Sequence, residues 1–281
     1  MVLRREADPH QIGAFLMLLR FRGEDVGEIA GMVEAARDAI GAFPHPSPVD
    51  LDWPSYGAGR TRGAPWFLLS ALALARAGAT VLMHGSNEHS GGIPVAAGLA
   101  ALAPRDLDQR FTYVPLAALS PAMDALLQMR RLFGLRSPVN TVARLLNPGD
   151  ARAGVDGVFH PPYLAVHLGV AEVLQRQRFF VLKGGGGEAE RVPLKPASGW
   201  LWDKAQGQSE IGLPARPDLA PMLAAGDSPE LLAEVWRGEA VPPTAVATVI
   251  STIGLGMLAL GWASTAEAAE QDAERIWRDR Q

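Results

Sequence analysis

The sequence predicts an α/β protein with a small all-helical subdomain and a mostly parallel sheet flanked by helices. Three observations lead to this prediction. Two capped helical segments fill the first forty residues, a proline-rich connector follows at 44–54, and short apolar runs then alternate with helical segments. Such alternation is typical of parallel strands that are joined by helical crossovers. The proline-rich connector marks the expected subdomain boundary.

The two N-terminal helices each begin at an aspartate. Asp8 precedes Pro9 and has Gln11 three residues on, and Asp25 has Glu28 three residues on. This spacing is that of a capping box, in which side chains and backbone N–H groups satisfy each other at the start of a helix. Apolar residues recur at helical spacing after both caps.

Five short apolar runs are predicted as strands, at 49–52, 80–83, 112–114, 155–159 and 179–182. Helices are predicted at about 65–77, 95–102, 120–134 and 162–174, and a last one, capped by Ser264 with Glu267, is expected to run to about Arg278. Residues 184–228, rich in glycine and proline, are expected to form excursions over the carboxyl end of the sheet. Ligands of such sheets bind at the loops beyond that end.

The composition excludes several classes of protein. The 281 residues are 48% hydrophobic and 20% charged, which allows a sizeable core and excludes a mainly disordered or fibrous chain. The net charge of −4 means that binding of a polyanion requires a local basic patch. The lack of cysteine excludes disulfides, thiol nucleophiles and thiolate metal sites. No basic stretch precedes an apolar one at the start, so we expect no signal peptide and a cytoplasmic location.

An uncharged segment at 244–263 admits two interpretations. It is long enough to cross a bilayer as a helix. It also contains threonine, serine and three glycines and has no aromatic belt on its flanks. These features favour a buried core helix over a membrane span.

Two loops that follow predicted strands carry candidate binding residues. Tyr56 and the run Gly57-Ala58-Gly59-Arg60 can present backbone N–H groups to a phosphate, or can form an ordinary tight turn. The loop at 84–92 is dense in hydrogen-bonding residues, which suits ligand recognition; its candidates are His84, Gly85, Ser86 and Ser90. Zinc at this loop is disfavoured, because consecutive loop residues rarely converge on one ion.

The third candidate loop combines glycines with carboxylates. Gly184 to Gly187 precede Glu188 and Glu190, which are candidate Mg²⁺ ligands through waters and phosphates; the alternative is a surface loop without a ligand. A separate basic region contains Arg130, Arg131, Arg136 and Arg144, and such regions are more often solvated helix faces than binding sites.

These loops, in this order after two capped helices, resemble the anthranilate phosphoribosyltransferase group of glycosyl transferase family 3, and more closely its divergent YbiB-type branch, which binds nucleic acid. The matching segments are QIGAFL (11–16), GE (23–24), DWPSY (52–56), VLMHG (81–85), LRSP (135–138), LLNP (145–148), GVFHP (157–161) and GEAER (187–191). The resemblance implies a helical dimerisation subdomain at 1–44 plus about 118–148 and an α/β domain at 45–117 plus 149–281. The family has a further helix before the segment that matches 11–24, so the start of this chain is expected to be misassigned or its dimer interface weakened.

The departures from the family pattern concern the groups that handle phosphoribosyl diphosphate. The acidic residue that ends the family's glycine loop is replaced by Arg60, its Lys-His-Gly-Asn loop reads Met83-His84-Gly85-Ser86, and its Asp-Glu pair for Mg²⁺ reads Glu188-Ala189. Its Asn-(Ile/Val)-Ser-Thr phosphate segment has no clear counterpart. Arg136 is retained at the place that the resemblance assigns to the acceptor's carboxylate. Diphosphate displacement needs a neutralised leaving group and an aligned nucleophile, so these losses favour phosphate binding over catalysis.

The leading hypothesis is therefore a cytoplasmic, homodimeric protein that binds nucleic acid through a basic cleft and requires no cofactor. Arg60, Arg62, Arg136, Lys183 and Arg191 are expected to contact phosphates, and Trp53, Tyr56 and Trp66 to stack on bases. The alternative is an active, Mg²⁺-dependent phosphoribosyltransferase or pentosyltransferase with an altered acceptor. In it, His84, Ser90 and Arg136 position the acceptor, Gly57 to Gly59 hold the diphosphate, and Glu188 and Glu190 bind Mg²⁺. A third hypothesis is a dimeric interaction protein with a vestigial cleft.

Overall fold

One twisted sheet organises the protein. The computed structural model describes residues 2–4, 6–41, 43–57, 63–86, 90–221 and 226–281. In these residues the strand order is β3-β2-β1-β4-β5-β6-β7, parallel from β3 to β5 and antiparallel from β5 to β7. The strands are β1 (Leu51–Ser55), β2 (Val81–Gly85), β3 (Phe111–Pro115), β4 (Ala153–Val158), β5 (Arg178–Lys183), β6 (Ala197–Asp203) and β7 (Gly207–Leu213). The predicted α/β class with a mostly parallel sheet is confirmed.

Helices cover both faces of this sheet. They are α1 (Pro9–Arg22), α2 (Val26–Ile40), α3 (Trp66–Arg76), α4 (Val95–Ala101), α5 (Leu116–Leu119), α6 (Pro121–Gln128), α7 (Arg130–Phe133), α8 (Val139–Arg144), α9 (Tyr163–Val173), α10 (Pro229–Arg237), α11 (Pro243–Leu260) and α12 (Ala266–Arg278). The five predicted strands and the first two helices are confirmed within a few residues at each end. The capping box of Asp25 with Glu28 is present at α2.

The two sheet faces belong to two hydrophobic cores, because successive side chains of a strand point to opposite faces. On β5, Phe180 and Leu182 pack with α3, α11 and α12, whereas Phe179 and Val181 pack with α2, α8 and α9. Helices α1 and α6 join the second core. The division into subdomains at 1–44 with 118–148 stays a prediction.

Helix α11 is the uncharged segment of the sequence. It is long and apolar enough to cross a membrane, but 89% of that window is buried within the protein. It packs against α3, where a Cβ on Gly256 would lie 2.4 Å from Leu74 Cδ1. The glycine therefore lets the two helices approach closely, as expected for a core helix.

Three sequence predictions need correction. Residues 197–213, expected to be an excursion, form the β6–β7 hairpin, since Leu201 and its tryptophan neighbours pair with β5 and pack into both cores. The helix expected at 120–134 is divided into α6 and α7 at Met129, although it ends at Gly134 as predicted; Gly134 is in the left-handed conformation (φ 66°). The cap of α12 is Thr265 rather than Ser264, with Thr265 Oγ1 accepting a hydrogen bond from Ala268 N at 3.2 Å.

The cap assignment is testable with a matched pair of substitutions. Thr265→Ala removes the acceptor at the start of α12, and we expect it to lower the free energy of unfolding by about 1 kcal/mol. Ser264→Ala removes a hydroxyl from the neighbouring exposed position and should change it by less than about 0.5 kcal/mol. Urea denaturation measures both, and equal losses would contradict the assignment.

Candidate functional site

The parallel strands place the candidate loops at one edge of the sheet. Strands β1, β2, β4 and β5 end there at Ser55, Gly85, Val158 and Lys183. A Cβ on Gly85 would lie 2.0 Å from the carbonyl oxygen of Ser55, so a glycine is required where the ends of β1 and β2 meet. This edge is where ligands bind in sheets of this kind.

Glu188 reaches across this edge to the loop after β1. Its Oε1 accepts hydrogen bonds from Gly57 N at 2.6 Å and from Ser55 Oγ at 3.2 Å, and the residue is only 1% exposed. A Cβ on Gly157 or Gly184 would lie 2.0 or 1.6 Å from the carbonyl oxygen of Glu188. Glycines at the ends of β4 and β5 therefore allow the backbone of Glu188 to lie against the sheet.

Two further carboxylates accept hydrogen bonds from backbone N–H groups at the end of the β1–α3 connection and the start of α3. Glu190 Oε2 accepts from Phe67 N at 3.0 Å, in the first turn of α3, and Asp227 Oδ2 accepts from Ala64 N at 2.9 Å. A carboxylate at a helix N-terminus is favoured by the helix dipole. The role of Glu188 and Glu190 as Mg²⁺ ligands stays a prediction. Among the described residues, no group of three or more histidine or acidic side chains is placed to hold a metal ion.

Tyr56 and His84 lie beneath the loops, in a buried polar chain. Tyr56 Oη is 2.8 Å from His84 Nδ1, His84 Nε2 is 3.2 Å from Asp52 Oδ1, and Asp52 Oδ2 is 3.4 Å from Arg176 Nη2. Burial raises the pKa of Tyr56 well above its usual value, and the charge of Asp52 adds to the effect. Tyr56 therefore keeps its phenolic proton and can donate a hydrogen bond to His84 Nδ1, while His84 Nε2 faces Asp52.

A second site at this edge is a cavity of about 230 Å³ that we call the arginine cavity. It lies where the end of α1, the α7–α8 connection, the end of β4 and the start of α9 meet. Its charged lining consists of four arginines and one glutamate: Arg20, Arg130, Arg136, Arg144 and Glu24. The polar lining also includes His160, His167, Tyr163, Asn140, Ser137 and Thr141.

Two of the four arginines have partners in the protein. Arg144 Nη1 is 2.8 Å from Asp156 Oδ1, and the other oxygen of Asp156 is 2.8 Å from His167 Nδ1. Arg20 Nη1 donates to Tyr163 Oη at 2.7 Å and lies 4.0 Å from Glu24. The positive charges of Arg144 and Arg20 are therefore largely compensated.

Arg130 and Arg136 are not compensated in this way. Neither guanidinium forms an ion pair with any residue that the structure describes, and Arg130 Nη1 is buried without a hydrogen-bond partner there. Burial lowers the pKa of Arg136, and the charges of Arg130, Arg144 and Arg20 lower it further. The cavity thus holds an excess of partly desolvated positive charge, which an anion would relieve.

The remaining candidate residues lie elsewhere. Lys183 is exposed at the end of β5, and Ser86 and Ser90 are half-buried at the loop after β2. Arg191 is buried, with its guanidinium bound to Glu270 and the carbonyl of Pro214, so it does not extend toward a ligand. The residues at 58–62, with Gly59, Arg60 and Arg62, fall outside the described residues.

The expected stacking residues are buried. Trp53, Tyr56 and Trp66 are at most 3% exposed, so the expectation that they stack on bases is wrong for this structure. Asp52 and Asp156 were not among the candidate residues expected from the sequence. Each is a carboxylate within a short apolar strand, and a charge in such a position indicates a buried ionic partner.

Comparisons with known proteins agree with this architecture. Residues 1–40 match the model of the glycosyl transferase family helical bundle domain. An anthranilate phosphoribosyltransferase from Prochlorococcus marinus (strain MIT 9313) is 30% identical over 278 residues, which cover 89% of this chain and 77% of that protein. The chain belongs to the anthranilate phosphoribosyltransferase family.

Other relatives agree with the assignment, although their matches are shorter or their identity is lower. The enzyme of Anaeromyxobacter sp. (strain Fw109-5) is 33% identical over 193 residues, but the match spans only 57% of that protein. The crystal structure of anthranilate phosphoribosyltransferase from Thermus thermophilus superposes with a TM-score of 0.79 at 24% identity, covering 99% of this chain and 88% of that one. The enzyme of Saccharomyces cerevisiae in complex with PRPP and Mg gives a TM-score of 0.75 at 14% identity, with 99% and 86% covered. These two likenesses show the shared fold.

The tyrosines give a test of the buried polar groups. All three tyrosines of the chain have raised pKa values, chiefly because burial disfavours the phenolate; that of Tyr113 is raised to about 12. The folded protein therefore keeps protons that the unfolded chain releases above pH 10. The contribution of these protonated tyrosines to the free energy of unfolding is complete below pH 10 and is lost as the pH rises toward 12.

We expect a titration of phenolate absorbance on the folded protein to show no tyrosine with the ordinary pKa. The same titration in denaturant should show all three ionising normally. Tyr56→Phe provides the control, because it should remove the step with the most strongly raised pKa and leave the other two. A native tyrosine that ionises near pH 10 would contradict the burial described here.

Proposed function

We propose that this protein binds the phosphate backbone of nucleic acid at the arginine cavity, on a phosphoribosyltransferase scaffold whose own diphosphate site is degenerate. The observation that supports this proposal is the pair of half-buried guanidinium groups, Arg130 and Arg136, without carboxylate partners among the described residues. Family membership supplies the scaffold. It does not decide between a small ligand and a polymer.

Phosphate is the anion whose chemistry suits this cavity. A guanidinium presents a planar set of donors that matches two oxygens of one phosphate, and such charge-assisted pairs are strong. Neutralising Arg130 and Arg136 also relieves the repulsion among the four cavity arginines. Lys183, exposed at the end of the strand next to β4, is available for a further phosphate at the same edge of the sheet.

Burial of the aromatic rings limits the mode of binding. With Trp53, Tyr56 and Trp66 in the interior, the contacts that we propose are those of the cavity arginines to phosphates, which carry no sequence information. We therefore propose binding that depends on charge rather than on bases, and a confined patch agrees with a net charge of −4.

Oligonucleotide binding measured over a range of salt concentrations tests the proposal. We expect the logarithm of the binding constant to fall linearly with the logarithm of salt concentration, by about 0.7 per phosphate contacted on a single strand. Arg136→Ala and Arg130→Ala should each weaken binding to every sequence and reduce the slope by about one contact.

Arg275→Ala is the matched control, since it removes the same charge from the exposed side of α12, where Arg275 pairs with Asp272. It should leave affinity and slope nearly unchanged. Fluorescence anisotropy with a labelled strand measures all four proteins. Undetectable binding at low salt, or binding that is indifferent to salt, would overturn the proposal.

An active, Mg²⁺-dependent transferase with an altered acceptor is the second candidate. It is favoured by the family and by Arg136, which faces the arginine cavity at the place that the resemblance assigns to the acceptor's carboxylate. If Mg²⁺ binds, Glu188 and Glu190 are the residues that would hold it, and the ion would neutralise the leaving diphosphate. Both carboxylates are committed to backbone donors in this structure, which disfavours that role.

Calorimetry with phosphoribosyl diphosphate and Mg²⁺ separates the two candidates. We expect binding weaker than micromolar and no release of diphosphate, because the donor of the Gly57 loop is already satisfied internally. Micromolar binding together with diphosphate release, in the presence of candidate aromatic or base acceptors, would establish the transferase instead. Glu210→Ala removes an exposed carboxylate from β7 and shows whether a change in net charge alone alters this binding.

We further propose that the protein is a cytoplasmic homodimer. Exposed apolar side chains on α1 support an interface there: Phe21 is 94% exposed, Leu18 68% and Phe15 49%. Their spacing of three residues places them along one side of the helix. Apolar surface of this extent on one helix is typical of a protein contact.

A further inference from the structure

We propose that the arginine cavity takes a terminal phosphate of the nucleic acid, a phosphomonoester dianion, rather than a phosphodiester from within the strand. Because this inference names the kind of phosphate that the same site binds, it rests on the proposed function. Three features of the cavity carry it: the amount of uncompensated charge, the convergence of the arginines on one place, and the supply of neutral donors.

Two of the four positive charges in the cavity have no counter-charge among the described residues. Arg20 lies 4.0 Å from Glu24 and Arg144 lies 2.8 Å from Asp156, so each of these pairs is neutral. The other two arginines of the lining have no such carboxylate there. With its histidines neutral, the cavity is therefore compensated by two negative charges. A phosphomonoester supplies about 1.5 to 2 of them at pH 7, whereas a phosphodiester supplies about one.

The carboxylate in the described lining is occupied by donors of the protein. Glu24 accepts hydrogen bonds from Thr141 Oγ1 at 2.9 Å and from Tyr163 Oη at 3.2 Å, and its side chain is only 4% exposed. These donors stabilise its negative charge within the protein. Glu24 therefore leaves the guanidinium groups of Arg130 and Arg136 to a ligand.

The arginines converge on one place and do not form a track along the surface. All four line the same cavity, and Arg136 is affected by each of the others. Burial lowers the pKa of Arg136, and the charges of Arg130, Arg144 and Arg20 lower it further. A backbone that passes along a protein is matched by cations spaced along its length, whereas repulsion at one place is relieved most by one group of high charge.

The shape and the neutral donors of the cavity also suit the end of a strand. It is a recess of about 230 Å³ where four structural elements meet. A phosphodiester within a strand carries a nucleoside on both sides, and both must leave this recess, whereas a terminal phosphate carries a nucleoside on one side only. Ser137 and Asn140 in the lining offer a hydroxyl and an amide to the third terminal oxygen, which only the monoester has.

The probe is a thymidine strand of about twelve nucleotides, labelled at one end and carrying a phosphate, a methyl phosphate or a hydroxyl group at the other. The methyl ester keeps the phosphate group and removes its second charge. A hydroxyl-ended strand lengthened by two nucleotides supplies two further charges as phosphodiesters. By fluorescence anisotropy, we expect the strand with the free phosphate to bind about tenfold more tightly than the other three. Exchanging the label and the end group extends the test to both ends of the strand.

The preference for the free phosphate should depend on the cavity. In Arg136→Ala and in Arg130→Ala, we expect the phosphorylated strand to bind no more than about twofold better than the hydroxyl-ended one. Arg275→Ala, which removes the same charge from the exposed side of α12, should keep the full preference. Circular dichroism and thermal unfolding establish that each variant is folded; if Arg136→Ala is not, Arg130→Ala carries the test.

Equal binding of the phosphate, methyl phosphate and hydroxyl ends by the native protein, at both ends of the strand, would overturn the inference and leave the proposed function standing. A preference that survives in the folded cavity variants would also overturn it, since the terminal phosphate would then lie elsewhere.

Failure of every strand to bind at low salt would overturn the proposed function. Calorimetry with thymidine monophosphate and its methyl ester then tests the inference by itself. Binding of the monoester alone, lost in Arg136→Ala, would support a phosphomonoester site for a free nucleotide; binding of neither would overturn the inference as well.

Discussion

Carboxylates that are buried within the strands and at the carboxyl edge of the sheet set the constraint on which this structure depends. Asp52, Asp156 and Glu188 are each at most 1% exposed, and an isolated charge so placed would be prohibitively costly. Asp52 lies against Arg176 and His84, Asp156 against Arg144 and His167, and Glu188 against backbone and hydroxyl donors. Removing one partner of such a pair leaves the other uncompensated, so these contacts determine how strands, loops and helices meet.

Charge compensation also divides the sheet edge into two parts of different character. At the two described ends of the loop after β1, carboxylates accept hydrogen bonds from backbone N–H groups. In the arginine cavity, four arginines face one glutamate and the partly shared Asp156. These described donors are therefore satisfied within the protein, whereas Arg130 and Arg136 have no carboxylate partner among the described residues. This asymmetry is why we place ligand binding at the cavity, although the net charge of the chain is negative.

The sequence predicted those features that neighbouring residues decide. The capping box of Asp25 and the five parallel strands follow from spacing within a few residues, and they are confirmed. The β6–β7 hairpin was missed, because its signal lies in pairing with β5 and not in the glycine-rich segment itself. The order of the loops along the chain predicted that Arg136 and Glu188 lie near the sheet edge. It did not predict where either side chain points, because that direction depends on residues far away in the chain, such as Gly57 for Glu188.

The uncompensated arginines have a consequence for stability as well as for binding. Without a ligand, Arg130 and Arg136 remain partly desolvated beside two other guanidinium groups, which disfavours the folded state. An anion that binds only the folded protein then stabilises it by mass action, by about 2.7 kcal/mol at a hundred times its dissociation constant. The N–H group of Gly57 has no such dependence, because the oxygen that it binds belongs to Glu188 of the same chain. The same sheet edge thus carries a backbone donor that is satisfied within the protein and two guanidinium groups whose charge an anion would compensate.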